Sequence, residues 1–113
     1  MITNEELQNK IKILTNKLQI GLFDEVIFDA KKLLKKDTNQ VIFNLLSLAY
    51  QSKGDFDSSI NLLNKVLKNQ PNNIFFLNNI GLSYLKKNDF KNASYYFERA
   101  IEINPNYINV LNN

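Results

Sequence analysis

The chain repeats itself at an interval of 34 residues, and this constrains its fold more than any other feature. Pro71 pairs with Pro105, Tyr50 with Tyr84, Phe56 with Phe90, Asp55 with Asp89 and Leu67 with Ile101. An earlier unit aligns Gly21-Leu22-Phe23-Asp24-Glu25 with Gly54-Asp55-Phe56-Asp57-Ser58, one residue short of the same interval. The missing residue falls in the linker Asp37-Thr38-Asn39-Gln40, where the later units carry their proline. A period of this length marks a small supersecondary unit that cannot bury its own apolar face. Stacked neighbours must bury it instead.

Each unit reads as two helices. Between Ile74 and Lys87, the residues Leu77, Ile80, Gly81 and Tyr84 fall at i, i+3, i+4 and i+7, one face of a helix. After a break at Asn88-Asp89, the same spacing returns in Phe90, Ala93, Phe97, Ala100 and Ile101. Gly21, Gly54 and Asn88 occupy one slot, where the first helix of each unit must stop. Glycine and asparagine tolerate the left-handed backbone that ends helices. The acidic residues Asp24/Glu25 and Asp55/Asp57 stand at the start of the second helix, where they suit its free N–H groups and its dipole. In the first helix, Thr3 and Glu6 form a capping box and Leu7, Ile11, Leu14 and Leu18 form its apolar stripe.

These residues carry a resemblance to a known family. Leu77, Ile80, Gly81, Tyr84, Ala93, Phe97, Ala100 and Pro105 resemble the eight signature positions of a tetratricopeptide repeat, with leucine in place of the usual tryptophan. Phe43, Leu46, Ser47, Tyr50, Ser59, Leu63, Val66 and Pro71 look like a second copy. The resemblance weakens toward the N-terminus, where Lys10 and Lys17 stand at positions usually aromatic. It implies an all-α fold, a right-handed superhelical array of antiparallel helix pairs. One domain over residues 1–113 would hold a divergent repeat at about 4–39, repeats at 40–73 and 74–107, and the start of a fourth helix pair at 108–113. That last segment, Ile108 to Asn113, repeats Ile74 to Asn79 at the same interval and shares its Leu-Asn-Asn run. The chain thus reads as stopping inside a fourth repeat, with a C-terminal end open to self-association or to the rest of a longer protein. At the three family positions where helices approach closely, Gly81, Ala93 and Ala100 give way to Ser47, Ser59 and Val66, then to Leu14, Val26 and Leu33. Helix pairs should therefore spread apart toward the N-terminus.

By resemblance, the first helices of successive repeats line a concave groove that binds a peptide or a partner helix. The family's groove positions fall on Val41, Asn44, Leu45 and Leu48, and on Phe75, Asn78, Asn79, Leu82 and Lys86. The divergent first helix would add Gln8, Lys12 and Thr15. Members that clamp acidic C-terminal tails use cationic and amide side chains at five positions held here by Ile11, Thr15, Leu45, Phe75 and Asn79. None is cationic, so this groove should favour apolar or backbone-presenting ligands. Repeat arrays attached to O-linked sugar transferases use an asparagine ladder to hold peptide backbone. Asn79 and Asn113 match its positions, and Leu45 breaks it.

Composition narrows the function classes. The chain has neither cysteine nor histidine, which removes disulfides, thiolate chemistry and the commonest general base and metal ligand. No nucleophile–base pair, metal cluster or phosphate loop is visible, so neither an enzyme nor a cofactor is expected. The formal charge of +3 comes almost wholly from dispersed lysines, with Arg99 the only arginine, which argues against a nucleic-acid partner. No apolar run reaches the ~20 residues of a membrane helix, and the N-terminus lacks a signal pattern, so no membrane insertion is expected and a cytoplasmic location is the default. The reading is a protein-binding scaffold. Its alternatives are a docking or oligomerisation arm of a larger enzyme, such as a sugar or sulfo transferase, and a module that self-assembles.

Overall fold

The computed structural model describes residues 2–106. The segment 108–113, read as the start of a fourth repeat, lies outside the described residues, as does Asn113 of the amide ladder. Six helices follow one another: α1 (Asn4–Gln19), α2 (Phe23–Leu34), α3 (Gln40–Ser52), α4 (Phe56–Asn69), α5 (Ile74–Lys86) and α6 (Phe90–Ile103). No strand occurs among the described residues, so the fold is an all-α helical repeat. The helices group into two compact units, α1–α3 and α4–α6.

One local device closes the first helix of every repeat. Gly21, Gly54 and Asn88 have φ of +87°, +82° and +65°. The following residue then bonds back five positions: Leu22 N–H donates to the Lys17 carbonyl, Asp55 to Tyr50 and Asp89 to Tyr84, each at 2.9 Å. This bond turns the chain sharply enough for the next helix to begin within two residues. The divergent first repeat keeps the device although its α1 sequence departs from the others.

In the first unit α1 packs on α2 and α3, and Leu7 and Leu14 of α1 and Val26, Ala30 and Leu33 of α2 are buried. Lys17, the apparent mismatch, holds Asp29 at 2.9 Å and Glu25 at 3.3 Å across the α1–α2 turn. The equivalent Tyr84 in the second unit stacks on Tyr96, with ring centroids 5.7 Å apart. An ion pair therefore stands where the other pair uses an aromatic contact. The two pairs also differ in closeness. Gly81 of α5 lies under the ring of Phe97 of α6, while α1 and α2, with larger residues at the equivalent places, leave a cleft between them.

The helix starts are where the structure departs from the sequence reading. Asp24 and Asp57 do not cap. Each accepts from a lysine at the C-terminus of the next first helix, Asp24 from Lys53 and Asp57 from Lys87. These hydrogen bonds hold both lysines above the ordinary value of 10.5. A raised folded-state value means that the pairs contribute in full below pH 10.5 and fade as pH rises through that value. The caps of the first helices are asparagines: Asn39 accepts from Val41 N–H at 2.8 Å, and Asn73 from Phe75 and Phe76 N–H, both at 3.1 Å. Thr3 accepts from Glu6 N–H at 3.1 Å, the forward half of the expected capping box.

Asp89 caps α6 by accepting from Asn92 N–H at 3.2 Å and from its side-chain amide at 2.7 Å. These bonds, the side-chain one foremost, hold its carboxyl below the ordinary 3.8. A depressed value stabilises the fold above pH 3.8 and is lost as pH falls through the folded-state value. Asp89→Ala should therefore lower the melting temperature at neutral pH, and the gap to the parent should narrow well below pH 3.8. A gap that stays constant with pH would show that the charge contributes nothing.

Candidate functional site

The residues assigned to the groove sit on α3 in the first unit and on α5 in the second. In α3 the capping bond to Asn39 fixes the first turn, so Val41 opens a stripe that continues through Asn44 and Leu48 at i+3 and i+7. Val41 is 43% exposed, and Asn44 and Leu48 are half-buried. In α5, Asn73 fixes the first turn in the same way, and Phe75, Asn78 and Leu82 follow at the same spacing. Phe75 is 58% exposed, Asn78 and Leu82 are half-buried, and Lys86 extends the stripe into solvent. The two stripes match residue for residue: an exposed apolar side chain, an asparagine, then a leucine.

Two of the sequence-assigned residues fall elsewhere. Leu45 is 6% exposed and Asn79 8%, so both point inward, one residue round the helix from the asparagines of the stripe. A step of one residue turns a helix by about 100°, enough to carry a side chain from surface to core. Asn79 is engaged within the fold. The ladder position read from the resemblance therefore has its amide turned inward, and the asparagines of the stripe are Asn44 and Asn78. On α1, Gln8 and Lys12 are exposed, while the half-buried Thr15 donates its hydroxyl to the Ile11 carbonyl at 2.8 Å.

Asn78 carries the chemistry of the α5 stripe. Its Oδ1 is buried and has no hydrogen-bond partner. An unpaired buried carbonyl costs free energy that a ligand N–H could recover after a small rotation of the side chain. Phe75, one turn earlier, supplies apolar area, and Leu82, one turn later, supplies more. Such a face can hold an extended backbone between apolar anchors. It offers no nucleophile or general base. Among the described residues no cluster of acids could hold a metal ion, and no helix is long and apolar enough to cross a membrane.

Sequence reasoning missed the capping asparagines and the Asp–Lys pairs. Asn39 and Asn73 do leave a signal, since each stands just before an apolar-periodic run. The Asp–Lys partners lie 29 and 30 residues apart and leave no local signal.

Two models of the tetratricopeptide repeat match the chain, one over residues 41–73 and the other over residues 74–107. No curated protein matches it. The matches run back to back through α3–α6 and cover the greater part of the sequence. The chain belongs to the tetratricopeptide repeat family.

Proposed function

We propose that this chain is a protein-interaction scaffold whose α5 face holds an apolar, backbone-presenting segment of a partner protein. Tetratricopeptide repeats generally mediate protein–protein interaction. The observation that carries the finer reading is the repetition of the outward stripe, Val41-Asn44-Leu48 and Phe75-Asn78-Leu82. The core does not require these exposed apolar side chains, yet both repeats keep them at one register. The unpaired Asn78 carbonyl supports a ligand that offers N–H groups. The one arginine supports a protein partner over nucleic acid, because Arg99 donates to the Pro71 carbonyl at 3.1 Å and lies over the Tyr95 ring. It has little left for a phosphate.

Random peptides displayed on phage and panned against the chain supply ligands for the test. Selected peptides should carry bulky apolar residues. Phe75→Ala should weaken them by ~1–3 kcal/mol, the scale of an interface anchor, as read by calorimetric titration. Peptides that bind Phe75→Ala as tightly as the parent would overturn the assignment to α5.

A further inference from the structure

The first unit contains a second recognition feature, away from α5 and of opposite chemical character. The cleft between α1 and α2 has a volume of about 290 Å³. Two helical stripes line it: Lys10, Ile13 and Leu14 from α1, and Asp29, Lys32, Leu33 and Lys36 from α2 and its end. Each follows the i, i+3, i+4 spacing of a single helix face. The floor is apolar, since Leu14 and Leu33 are buried, while Ile13 is 53% exposed. The rim is cationic. Asp29 is the one acid in the lining, and Lys17 already holds it at 2.9 Å. Among the described residues the ion pairs engage Lys17, Lys53 and Lys87, and none uses Lys10, Lys32 or Lys36.

The helix dipole accounts for part of this arrangement and not the rest. Lys32 and Lys36 lie at the C-terminal end of α2, where cations offset the negative pole. Lys10 is in the middle of α1, far from either pole, and lines the same cleft from the opposite wall. Size decides what could enter. Small-molecule sites run roughly 300–1,000 Å³, so this cleft admits one or two side chains of a larger ligand and not a whole drug-sized molecule. We propose that the α1–α2 cleft docks an acidic amphipathic helix of a partner protein, which inserts apolar side chains over Ile13 and Leu14 and sets flanking carboxylates against Lys10, Lys32 and Lys36. Charge complementarity selects this occupant: three free cations around an apolar floor match a helix with an apolar stripe between glutamates. Aspartate and glutamate beside the stripe gain three cationic partners there, whereas the α5 stripe offers them Lys86 alone.

The test uses the full chain and a fluorescein-labelled synthetic helix with a leucine stripe flanked by glutamates. A second probe replaces each glutamate by lysine. Anisotropy should show saturable binding of the acidic helix, lost by roughly tenfold or more between 50 and 300 mM salt, because a rim exposed to water is screened within a Debye length of ~10 Å or less. The lysine helix should not bind. The triple variant Lys10→Glu, Lys32→Glu, Lys36→Glu should lose binding at least about tenfold, and Phe75→Ala should leave it unchanged, which separates this site from the α5 face. All three lysines lie on the surface, so circular dichroism should report an intact fold; Ile13→Asp, at an exposed position, provides a second route to the same loss. Binding that survives both variants, equal binding of the lysine helix, or no binding overturns the proposal. So does a concentration-dependent rise in mass of the chain alone that the triple variant abolishes, which would make a second copy the occupant.

Discussion

Phe76→Ala should cost about 3–5 kcal/mol of folding stability, the range for removing a fully buried aromatic ring. The neighbouring Phe75→Ala should cost far less. Phe76 is 1% exposed, flanked in α5 by the equally buried Leu77, and its counterpart in the preceding repeat, Ile42, is buried too. Removing the ring forfeits its transfer free energy and leaves a cavity that close-packed neighbours fill only in part. A chain of this size has about 5–15 kcal/mol in hand, so the variant should populate its unfolded state at modest urea concentration. Phe75 lies one position away, is exposed, and shares the same cap, since Asn73 accepts from both backbone N–H groups. Propensity and capping are thus matched between the two substitutions, and burial is what differs. Urea titrations followed by circular dichroism should shift the midpoint strongly for Phe76→Ala and little for Phe75→Ala. Peptide binding should show the reverse order. Equal shifts for the two variants would mean that the inner face of α5 has been misassigned.

The same adjacent pair shows how far the sequence could be read. The family resemblance put Phe75 on the outer face, the fixed pitch of a helix turns its neighbour Phe76 away from that face, and the stops at Gly21, Gly54 and Asn88 follow from residues that accept positive φ. Pitch and stops are local properties, legible without any partner. Whether Leu45 and Asn79 face solvent is not local. It depends on how many neighbouring helices crowd α3 and α5, and a width of one residue on the wheel decides it. Lys17 illustrates a different limit. Like Lys10, it read as a departure from an aromatic position, and only the placement of Asp29 and Glu25 on the facing helix gives it a role. The capping asparagines left a positional signal just before each apolar run, but asparagine is so common in this chain that the signal was easily passed over. The α1–α2 cleft was half legible: the bulky contact residues pointed to a wide first pair, but nothing local placed Lys10 opposite Lys32 and Lys36.

Gly81→Leu should destabilise the chain by roughly 1–3 kcal/mol, toward the upper end of the overpacking range, and removing the ring of Phe97 should relieve most of that loss. Glycine inside a helix is itself unfavourable by about 1 kcal/mol relative to alanine, so its presence in α5 needs a reason. The reason is on α6. A Cβ at position 81 would lie 2.5 Å from Cε1, 2.7 Å from Cδ1 and 3.0 Å from Cζ of Phe97. Carbon atoms prefer about 3.5–4.0 Å, so either the ring swings away or the two helices separate. Phe97 is half-buried and has some freedom to turn, which would limit the cost of one methyl group but not of an isobutyl group. Gly81→Ala therefore sets two terms of similar size against each other, a gain in helix propensity and a clash. In the parent these should leave a net loss. In a Phe97→Ala background the clash is gone, and Gly81→Ala should stabilise by about 0.5–1 kcal/mol. A double-mutant cycle from urea midpoints measures the coupling directly, and contacting residues of this kind couple by roughly 0.5–3 kcal/mol. A reversal of sign between the two backgrounds identifies the Phe97 ring as the cause of the glycine. If Gly81→Ala and Gly81→Leu destabilise equally with and without the ring, the close approach of α5 and α6 is held by other contacts and the account of Gly81 fails.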